Sequence, residues 1–313
     1  MISFFGKLCE AFLNCTFARK RPLKNTFRNN ATFGKRIELD LSTLIRKNNL
    51  CFLSIAVASI WGATANAQSS EADLGQQLSN PVSSLISVPF QFNFDRNLNV
   101  DDQGEVLTLN VQPVIPFSIS DDWNLISRTI VPLKWSDNFP VAGTPSDFGF
   151  GDIVQSFFFS PKKPTANGWI WGAGPVLVLP LSRINDNPFY GAGEWAGGVT
   201  AVALRQQNGW TYGALVNHVV DFGGKTDINA TFLQPFVSYT TPNAWTFSLN
   251  TESTYDWENA QWTVPINGSV SKVVRIGSQA VSFQLGARYH ADGPASAPKG
   301  WGVRFGATLL FPK

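Results

Sequence analysis

Tryptophan placement constrains the fold of this 313-residue chain more than any other feature of its sequence. Ten of the eleven tryptophans lie beyond Gln68, and nine of those ten stand at the ends of segments in which apolar and polar residues alternate. Short turns precede Trp123, Trp169, Trp210 and Trp245, and longer loops adjoin Trp135, Trp195, Trp257, Trp262 and Trp301. Because an indole ring is stabilised at both water boundaries of a bilayer, this placement predicts the two interfacial girdles of a transmembrane β-barrel.

The alternating segments have the length of tilted membrane strands, about ten residues. We count twelve, at approximately 84–94, 105–117, 123–135, 149–160, 169–181, 195–205, 210–222, 228–240, 244–257, 262–274, 280–291 and 300–311. An even number predicts an all-β, antiparallel up-and-down barrel with both termini on the periplasmic side. Segments 195–205 and 228–240 alternate poorly, which leaves ten or fourteen strands open. A soluble β-sandwich alternates too, so the period alone does not say which face is buried.

The amino-terminal part of the chain has the pattern of a secretory signal peptide that follows an unusual extension. Leu50 to Ala63 is continuously apolar, follows Arg46 and Lys47, and precedes Ala65-Asn66-Ala67, which predicts a signal peptide over 50–67 with cleavage near Ala67. Residues 1–49 form a basic extension, and we hypothesise that translation starts within it. Polar residues 68–83 are expected to form a periplasmic tail before the outer-membrane barrel, 84–313.

Charge and cysteine content change when residues 1–67 are removed. That segment contains ten of the 24 basic residues and three of the 22 acidic residues, so the expected mature chain has a net charge of −5. All three cysteines also precede Gln68. The mature chain therefore gives no support to a nucleic-acid partner, a disulfide bond or a thiolate metal site.

Seven charged or titratable residues fall on the polar face of the predicted strands. They are Arg128, Lys134, Glu252, Asp256, Arg288, His290 and Arg304. A charge facing lipid at mid-depth costs about 2–4 kcal/mol, so we expect these side chains to line the lumen. Two interpretations stay open: a structural network that fills a narrow barrel, or a constriction with separate basic and acidic walls that selects solutes by charge.

Catalytic and metal sites receive little support from the sequence. A nucleophilic serine needs a base, and neither of the two histidines, His218 and His290, is followed at the alternate position of its strand by a serine. His290 with Asp292 could form only part of an acid–base site. The acidic stretch from Asp95 to Asp102 resembles a calcium loop but has Val100 and Val106 where glycine and glutamate are needed. We therefore predict no catalytic residue, no metal and no cofactor.

Several phrases of the sequence resemble a known family of outer-membrane barrels. The first half contributes Gly149 to Asp152, Gly172 to Pro175 and Gly193 to Trp195; the second contributes Thr231 to Tyr239, Trp262 to Pro265, Gly300 to Phe305 and Leu310 to Lys313. Members of that family are labelled transporter, phenol meta-pathway degradation-like or, misleadingly, neuromedin U. The resemblance implies a single outer-membrane barrel of channel or uptake type, without fixing the substrate. The phenol label would suggest aromatic hydrocarbons.

The combined expectation is an outer-membrane channel that passes small solutes, with apolar or aromatic compounds as candidates, through a narrow charged lumen. Its expected partners are outer-membrane lipids, a small-molecule solute and, through the C-terminal strand, the barrel assembly machinery. The main alternative is a closed barrel with a structural or surface-interaction role. An outer-membrane hydrolase is the remaining alternative.

Overall fold

The computed structural model describes residues 70–184 and 190–312. The predicted basic extension and signal peptide lie outside these ranges. The described chain begins with helix α1 (Glu71–Leu78), which starts at a capping box. The Asp73 N–H donates to Ser70 Oγ at 3.1 Å, and the Ser70 N–H donates to the Asp73 carboxylate at 3.3 Å. These two bonds satisfy amides that a helix start leaves without partners.

Fifteen β-segments follow in the described residues. They are β1 (Ile86–Leu98), β2 (Gly104–Val111), β3 (Val114–Ser118), β4 (Trp123–Asp137), β5 (Asp147–Phe150), β6 (Ile153–Pro161), β7 (Trp169–Leu179), β8 (Ala196–Gln207), β9 (Trp210–Asp221), β10 (Asn229–Thr240), β11 (Trp245–Thr251), β12 (Ser253–Asp256), β13 (Gln261–Ile276), β14 (Gln279–Asp292) and β15 (Gly300–Phe311). A short 3-10 turn, Leu181–Ile184, follows β7. No helix in the described ranges is both long and apolar enough to cross a membrane.

The fifteen segments form twelve strands of one closed sheet. Three of the strands each consist of two successive segments, which pair with the same neighbouring strand. These are β2 with β3, β5 with β6, and β11 with β12. All pairings are antiparallel, and β1 closes the barrel on β15, from Ile86 opposite Phe311 to Phe94 opposite Val303. The predicted twelve-stranded up-and-down barrel is confirmed, including the two poorly alternating strands, which the structure has as β8 and β10.

Burial across the sheet is the reverse of that in a soluble sandwich. The apolar side chains of Leu249, Leu285 and Val303 are 53%, 58% and 52% exposed on the outer face. On the inner face, Asn267 and Arg304 are only 3% and 4% exposed. A bilayer stabilises an apolar exterior around a polar interior. The sequence period did not say which face is buried; the structure shows the arrangement of a membrane barrel.

The two rims of the barrel differ in their connections. One rim, the short-turn end, carries the turns before β4, β7, β9, β11 and β14; the other, the long-loop end, carries the connections that leave β4, β7 and β14. Between β8 and β9 the chain reverses over Asn208 and Gly209, whose φ angles are 52° and 80°. Two consecutive positive φ angles are typical of the two-residue turn that best matches the twist of paired strands.

Candidate functional site in the barrel lumen

An ion pair between Arg304 and Glu252 lies inside the barrel. Arg304 Nη1 and Nη2 donate to the two carboxylate oxygens of Glu252 at 2.9 and 2.8 Å, and its Nε donates to Asn93 Oδ1 at 2.7 Å. Glu252 stands between β11 and β12, so β13 and β14 separate it in the sheet from Arg304 on β15. A fork of two parallel charge-assisted bonds fixes both side chains and holds this part of the lumen together.

A second network joins Arg288 to Asp95. Arg288 Nη1 donates to the Asp95 carboxylate at 2.8 and 3.2 Å, and Arg288 Nε donates to Asn267 Oδ1 at 3.1 Å. His290 Nε2 lies 2.9 Å from the same carboxylate, and its other ring nitrogen, Nδ1, is buried without a hydrogen-bond partner in the described chain. The sequence assigned Asp95 to an acidic loop. The structure places it in β1, where alternation turns it toward the lumen and Arg288 neutralises it.

Arg128 and Lys134 lie on the same inward face of β4 and differ from the two arginines above. Neither forms a salt bridge with a carboxylate in residues 70–184 or 190–312. Arg128 Nη2 donates to Gln112 Oε1 at 3.1 Å, whereas Lys134 Nζ donates to the Tyr190 backbone oxygen at 2.8 Å. The lumen thus contains both paired and unpaired cations, instead of the separate basic and acidic walls that one interpretation of the sequence expected.

Asp256, the seventh predicted lumen residue, holds a turn at the long-loop end. Its carboxylate accepts from the N–H groups of Glu258 and Asn259 at 2.9 and 3.1 Å and from Asn259 Nδ2 at 2.8 Å. Strand alternation alone would turn this side chain inward. At the last residue of β12, however, the free amides of the following turn bind the carboxylate, as aspartates at turn starts commonly do.

The segment from Ser70 to Leu85 packs inside the short-turn end of the barrel. Leu74 is fully buried, and Val82 and Leu85 are 5% and 2% exposed. Leu74 and Leu85 share a cluster with Ala244, Val273, Ala280 and Leu310; Val82 shares another with Ile126, Phe158, Val202, Leu204 and Leu215. Gln206 Nε2 adds a 2.7 Å bond to the Gln76 backbone oxygen. The predicted tail over 68–83 therefore contains a helix that was not predicted from the sequence and that packs into this mouth.

A partly exposed ion pair ties α1 to the barrel rim. Arg275 Nε donates to Glu71 Oε1 at 2.8 Å. The pKa of Glu71 is lowered from its ordinary value, first by a hydrogen bond from its own backbone N–H at the helix start and then by the bond from Arg275. Because 42% of the Glu71 side chain is exposed, solvent screens this pair, and it contributes less to docking than the apolar contacts of Leu74 do.

Tyr190, shortly before β8, packs inward at the long-loop end. Tyr190 is 1% exposed, and its hydroxyl lies 2.6 Å from Ser136 Oγ while its carbonyl accepts from Lys134. Arg183 donates to Glu194, and the Lys225 N–H donates to the other Glu194 oxygen at 3.0 Å. The bond from the Lys225 amide, followed by the charge of Arg183, lowers the pKa of Glu194. No sequence signal singled out Tyr190 as an inward residue.

The predicted girdle tryptophans are all exposed on the outer face, from 36% for Trp123 to 65% for Trp301. Several pack against other aromatic rings in a tilted arrangement: Trp210 against Tyr239 and Trp301 against Tyr289, each with ring centroids 5.0 Å apart. Trp171 lies beside the short-turn group and meets Trp123 edge-on at 5.8 Å. Their positions at the two rims are those expected of interfacial anchors.

The two histidines occupy different environments. His218 Nδ1 lies 2.9 Å from Thr231 Oγ1, while His290 contacts Asp95 and not Asp292, whose carboxylate accepts from the Gly293 N–H. Among the described residues, no group of three or more His, Cys, Asp or Glu side chains is arranged to hold a metal ion. The acidic loop after Asp95 is instead held by Lys299, whose ammonium donates to the Asn99 backbone oxygen and to Asp102.

No protein-family model matches the sequence, and a comparison with curated proteins finds no match. Among solved structures, an outer membrane channel from Pseudomonas putida F1 is similar, with a TM-score of 0.55 and 13% identity over 72% of this chain and 94% of that chain. Outer membrane phospholipase A from Escherichia coli has a TM-score of 0.42 and 10% identity, over 72% of this chain and 90% of the phospholipase. The CymD monoaromatic hydrocarbon channel has a TM-score of 0.36 and 7% identity, over 80% and 93%.

The last two similarities are too weak to support an argument about this chain. At 13% identity, the similarity to the Pseudomonas channel extends to the fold and no further. Together with the closed sheet and the apolar exterior, it identifies the chain as a transmembrane β-barrel of the outer-membrane type.

Proposed function

We propose that this protein is a channel of the bacterial outer membrane that passes small solutes, with apolar or aromatic compounds as candidates. The observation that carries the proposal is a lumen that is polar and charged inside an apolar exterior and that retains a cavity of about 230 Å³. Filling a barrel for stability alone requires no internal space. The likeness in fold to a channel and the resemblance of several sequence phrases to the transporter family support the same conclusion.

The proposed orientation follows from the rims. We propose that the short-turn end and both termini face the periplasm, since outer-membrane barrels have short periplasmic turns and longer external loops. The last strand, β15, would then present its final residues to the assembly machinery, and the exposed tryptophans would contact lipid at the two interfaces. The predicted signal peptide fits export to this compartment.

A closed structural barrel is the second candidate, and specific contacts favour it. The pairs Arg304–Glu252 and Arg288–Asp95 neutralise most of the lumen charge, and the segment from Ser70 to Leu85 occupies the short-turn mouth. A hydrolase receives less support, because in the described residues neither histidine is hydrogen-bonded to a serine: His218 bonds with Thr231 and His290 with Asp95. We therefore propose a non-enzymatic role.

Planar-bilayer recording of the purified, refolded protein tests the proposal. We expect discrete conductance steps; a silent membrane over a broad voltage range would favour the closed barrel. Replacing Arg304 with Glu should shift the reversal potential toward cation selectivity, because it inverts a charge at the lumen wall. Lys163→Glu makes the same charge change in an exposed turn and should leave selectivity unchanged. An unaltered reversal potential in a correctly folded Arg304→Glu variant would contradict the proposed lumen lining.

A further inference from the structure

A cavity of about 230 Å³ lies between the amino-terminal segment and the charged layer of the lumen. Its floor is formed by Leu78, Asn80, Leu85 and their neighbours in that segment. Its walls come from both sides of the barrel: Arg128 belongs to the third of the twelve strands in sequence order, and Asn250 to the ninth. The cavity therefore extends across the lumen and does not lie in a groove beside one strand.

Arg128 is the distinctive group in this cavity. In the part of the chain that the structure describes, its only hydrogen bond is the one to Gln112, and it forms no salt bridge. The carboxylate whose charge acts on it, Glu252, already binds both amino groups of Arg304. A guanidinium carries five N–H donors, so Arg128 retains both its positive charge and donors for another group.

The amides around Arg128 also offer donors to the cavity. Gln112 uses its side-chain oxygen to accept from Arg128, and Asn250 uses its own to accept from Asn267 Nδ2 at 2.8 Å. Within residues 70–184 and 190–312, their NH₂ groups have no hydrogen-bond acceptor and remain as donors. A cavity that combines an unpaired cation with amide donors is complementary to a ligand that is anionic and rich in acceptors.

Part of the remaining wall is apolar, and serine and glutamine side chains form the rest. Leu78, Leu85, Pro89, Val114 and Phe236 line the same cavity. These five side chains would contact a hydrocarbon or aromatic body, which a fully polar anion such as inorganic phosphate lacks. Drug-sized ligands occupy pockets of about 300–1,000 Å³, so this smaller space suits a body of about one aromatic ring.

From this arrangement we infer that the cavity is a binding site for small organic carboxylates with an apolar body, held by Arg128. The carboxylate accepts from the Arg128 guanidinium and from the neighbouring amide donors, while the body packs against the apolar wall. That such acids are also solutes of the channel rests on the proposed function. The binding site itself does not, since it requires only the folded barrel.

Equilibrium binding of 4-fluorobenzoate, followed by fluorine NMR on the refolded protein in detergent micelles, tests the site. We expect saturable binding to the wild type and weaker binding of 4-fluorobenzyl alcohol, which has the same ring without the charge. Arg128→Gln should weaken 4-fluorobenzoate binding by about tenfold or more, because it removes charge-assisted hydrogen bonds. The affinity of Arg128→Lys for 4-fluorobenzoate should lie between those of the wild type and Arg128→Gln, since lysine keeps the charge but not the planar fork of donors.

Lys163→Gln is the matched control, because it removes a positive charge from an exposed turn, and it should bind like the wild type. The heat-dependent gel mobility of each variant reports whether the barrel has folded. Equal binding by folded Arg128→Gln and wild type, or the absence of saturable binding to the wild type, would overturn the inference. Binding that depends on Arg128 without conductance would refute the channel alone, whereas conductance without binding would refute the site alone.

Discussion

The two halves of the lumen are held together by different interactions. At the short-turn end, Leu74, Val82 and Leu85 pack among inward-facing apolar side chains of the barrel. Toward the long-loop end, Arg288 and Arg304 form ion pairs inside the same wall. One half is a small hydrophobic core between a helix-bearing segment and the sheet, and the other is a polar network between strands.

This difference predicts how each half responds to damage. The stability of the apolar half should fall in steps as contacts are lost. Each buried leucine contributes about 1.5–3 kcal/mol, and its apolar neighbours carry no charge or hydrogen-bonding group that is left without a partner when it is removed. A buried ion pair behaves otherwise, because removing one partner leaves a charge without compensation. The apolar half can therefore release a segment while the barrel stays closed, whereas loss of a carboxylate in the polar half destabilises the barrel itself.

The largest effect is expected from Asp95→Asn. This change leaves Arg288 without its carboxylate and takes the negative charge from the partner of His290 Nε2, and the side chains of Arg288 and His290 are both largely buried. We expect the free energy of unfolding to fall by about 3–5 kcal/mol. Urea titration of the protein folded into lipid vesicles measures it.

Asp102→Asn provides the matched control for that experiment. It makes the same chemical change at an ion pair with Lys299, where 55% of the Asp102 side chain is exposed. The expected loss is at most about 1 kcal/mol. If the two variants were equally stable, the lumen pair would be no stronger than a surface pair, and the contrast between the halves would disappear.

A more local effect, which leaves the barrel's own stability unchanged, is expected from Leu74→Ala. An isolated eight-residue helix is unstable in water, so α1 depends on its packing, and truncating a fully buried leucine removes about 2–5 kcal/mol from docking. We expect proteases to cleave residues 70–85 faster while the barrel resists urea as before. Single-channel conductance should rise as the mouth opens.

Gln77→Ala tests whether that effect comes from the apolar contact. It shortens a partly buried polar side chain of the same helix that is not a member of the apolar cluster. Its cleavage rate should stay close to that of the wild type. Loss of barrel stability in Leu74→Ala, matching the loss of segment protection, would show that the two halves are one cooperative unit.

Much of the barrel could be predicted from the sequence because a strand in a membrane has a strict period. Each side chain faces either lipid or the lumen, so the residue types of Leu285 and Arg288 alone predict that they lie on opposite faces of the strand. The tryptophans mark where strands end; for example, the predicted strand 300–311 and β15 have the same bounds. Strand β10 alternates poorly because Phe232 and Phe236 face inward, where they pack against the apolar cluster that contains Val82.

The contacts that organise the lumen could not be predicted in the same way. Asp95 and Arg288 are 193 residues apart in the chain, and only closure of β1 on β15, with its register, brings them together. Helix α1 is too short and too polar to show a periodic pattern. Its one local signal is the capping box formed by Ser70 and Asp73, in which aspartate replaces the usual glutamate or glutamine.

The smallest predicted effect concerns the polar contact within the apolar half. The folded-state pKa of Glu71 lies below its ordinary value of 4.5, so its bonds to the helix start and to Arg275 stabilise docking above that value and are lost as pH falls through the lower one. Hydrogen exchange of residues 70–85, corrected for the intrinsic effect of pH, should show weaker protection toward pH 3. Glu71→Gln should be less protected at neutral pH and should lack this dependence, whereas Glu258→Gln, in an exposed turn at the other rim, should retain it. If Glu71→Gln kept the full pH dependence, another titrating group would control docking; if its neutral-pH protection equalled that of the wild type, apolar packing alone would hold α1 in place.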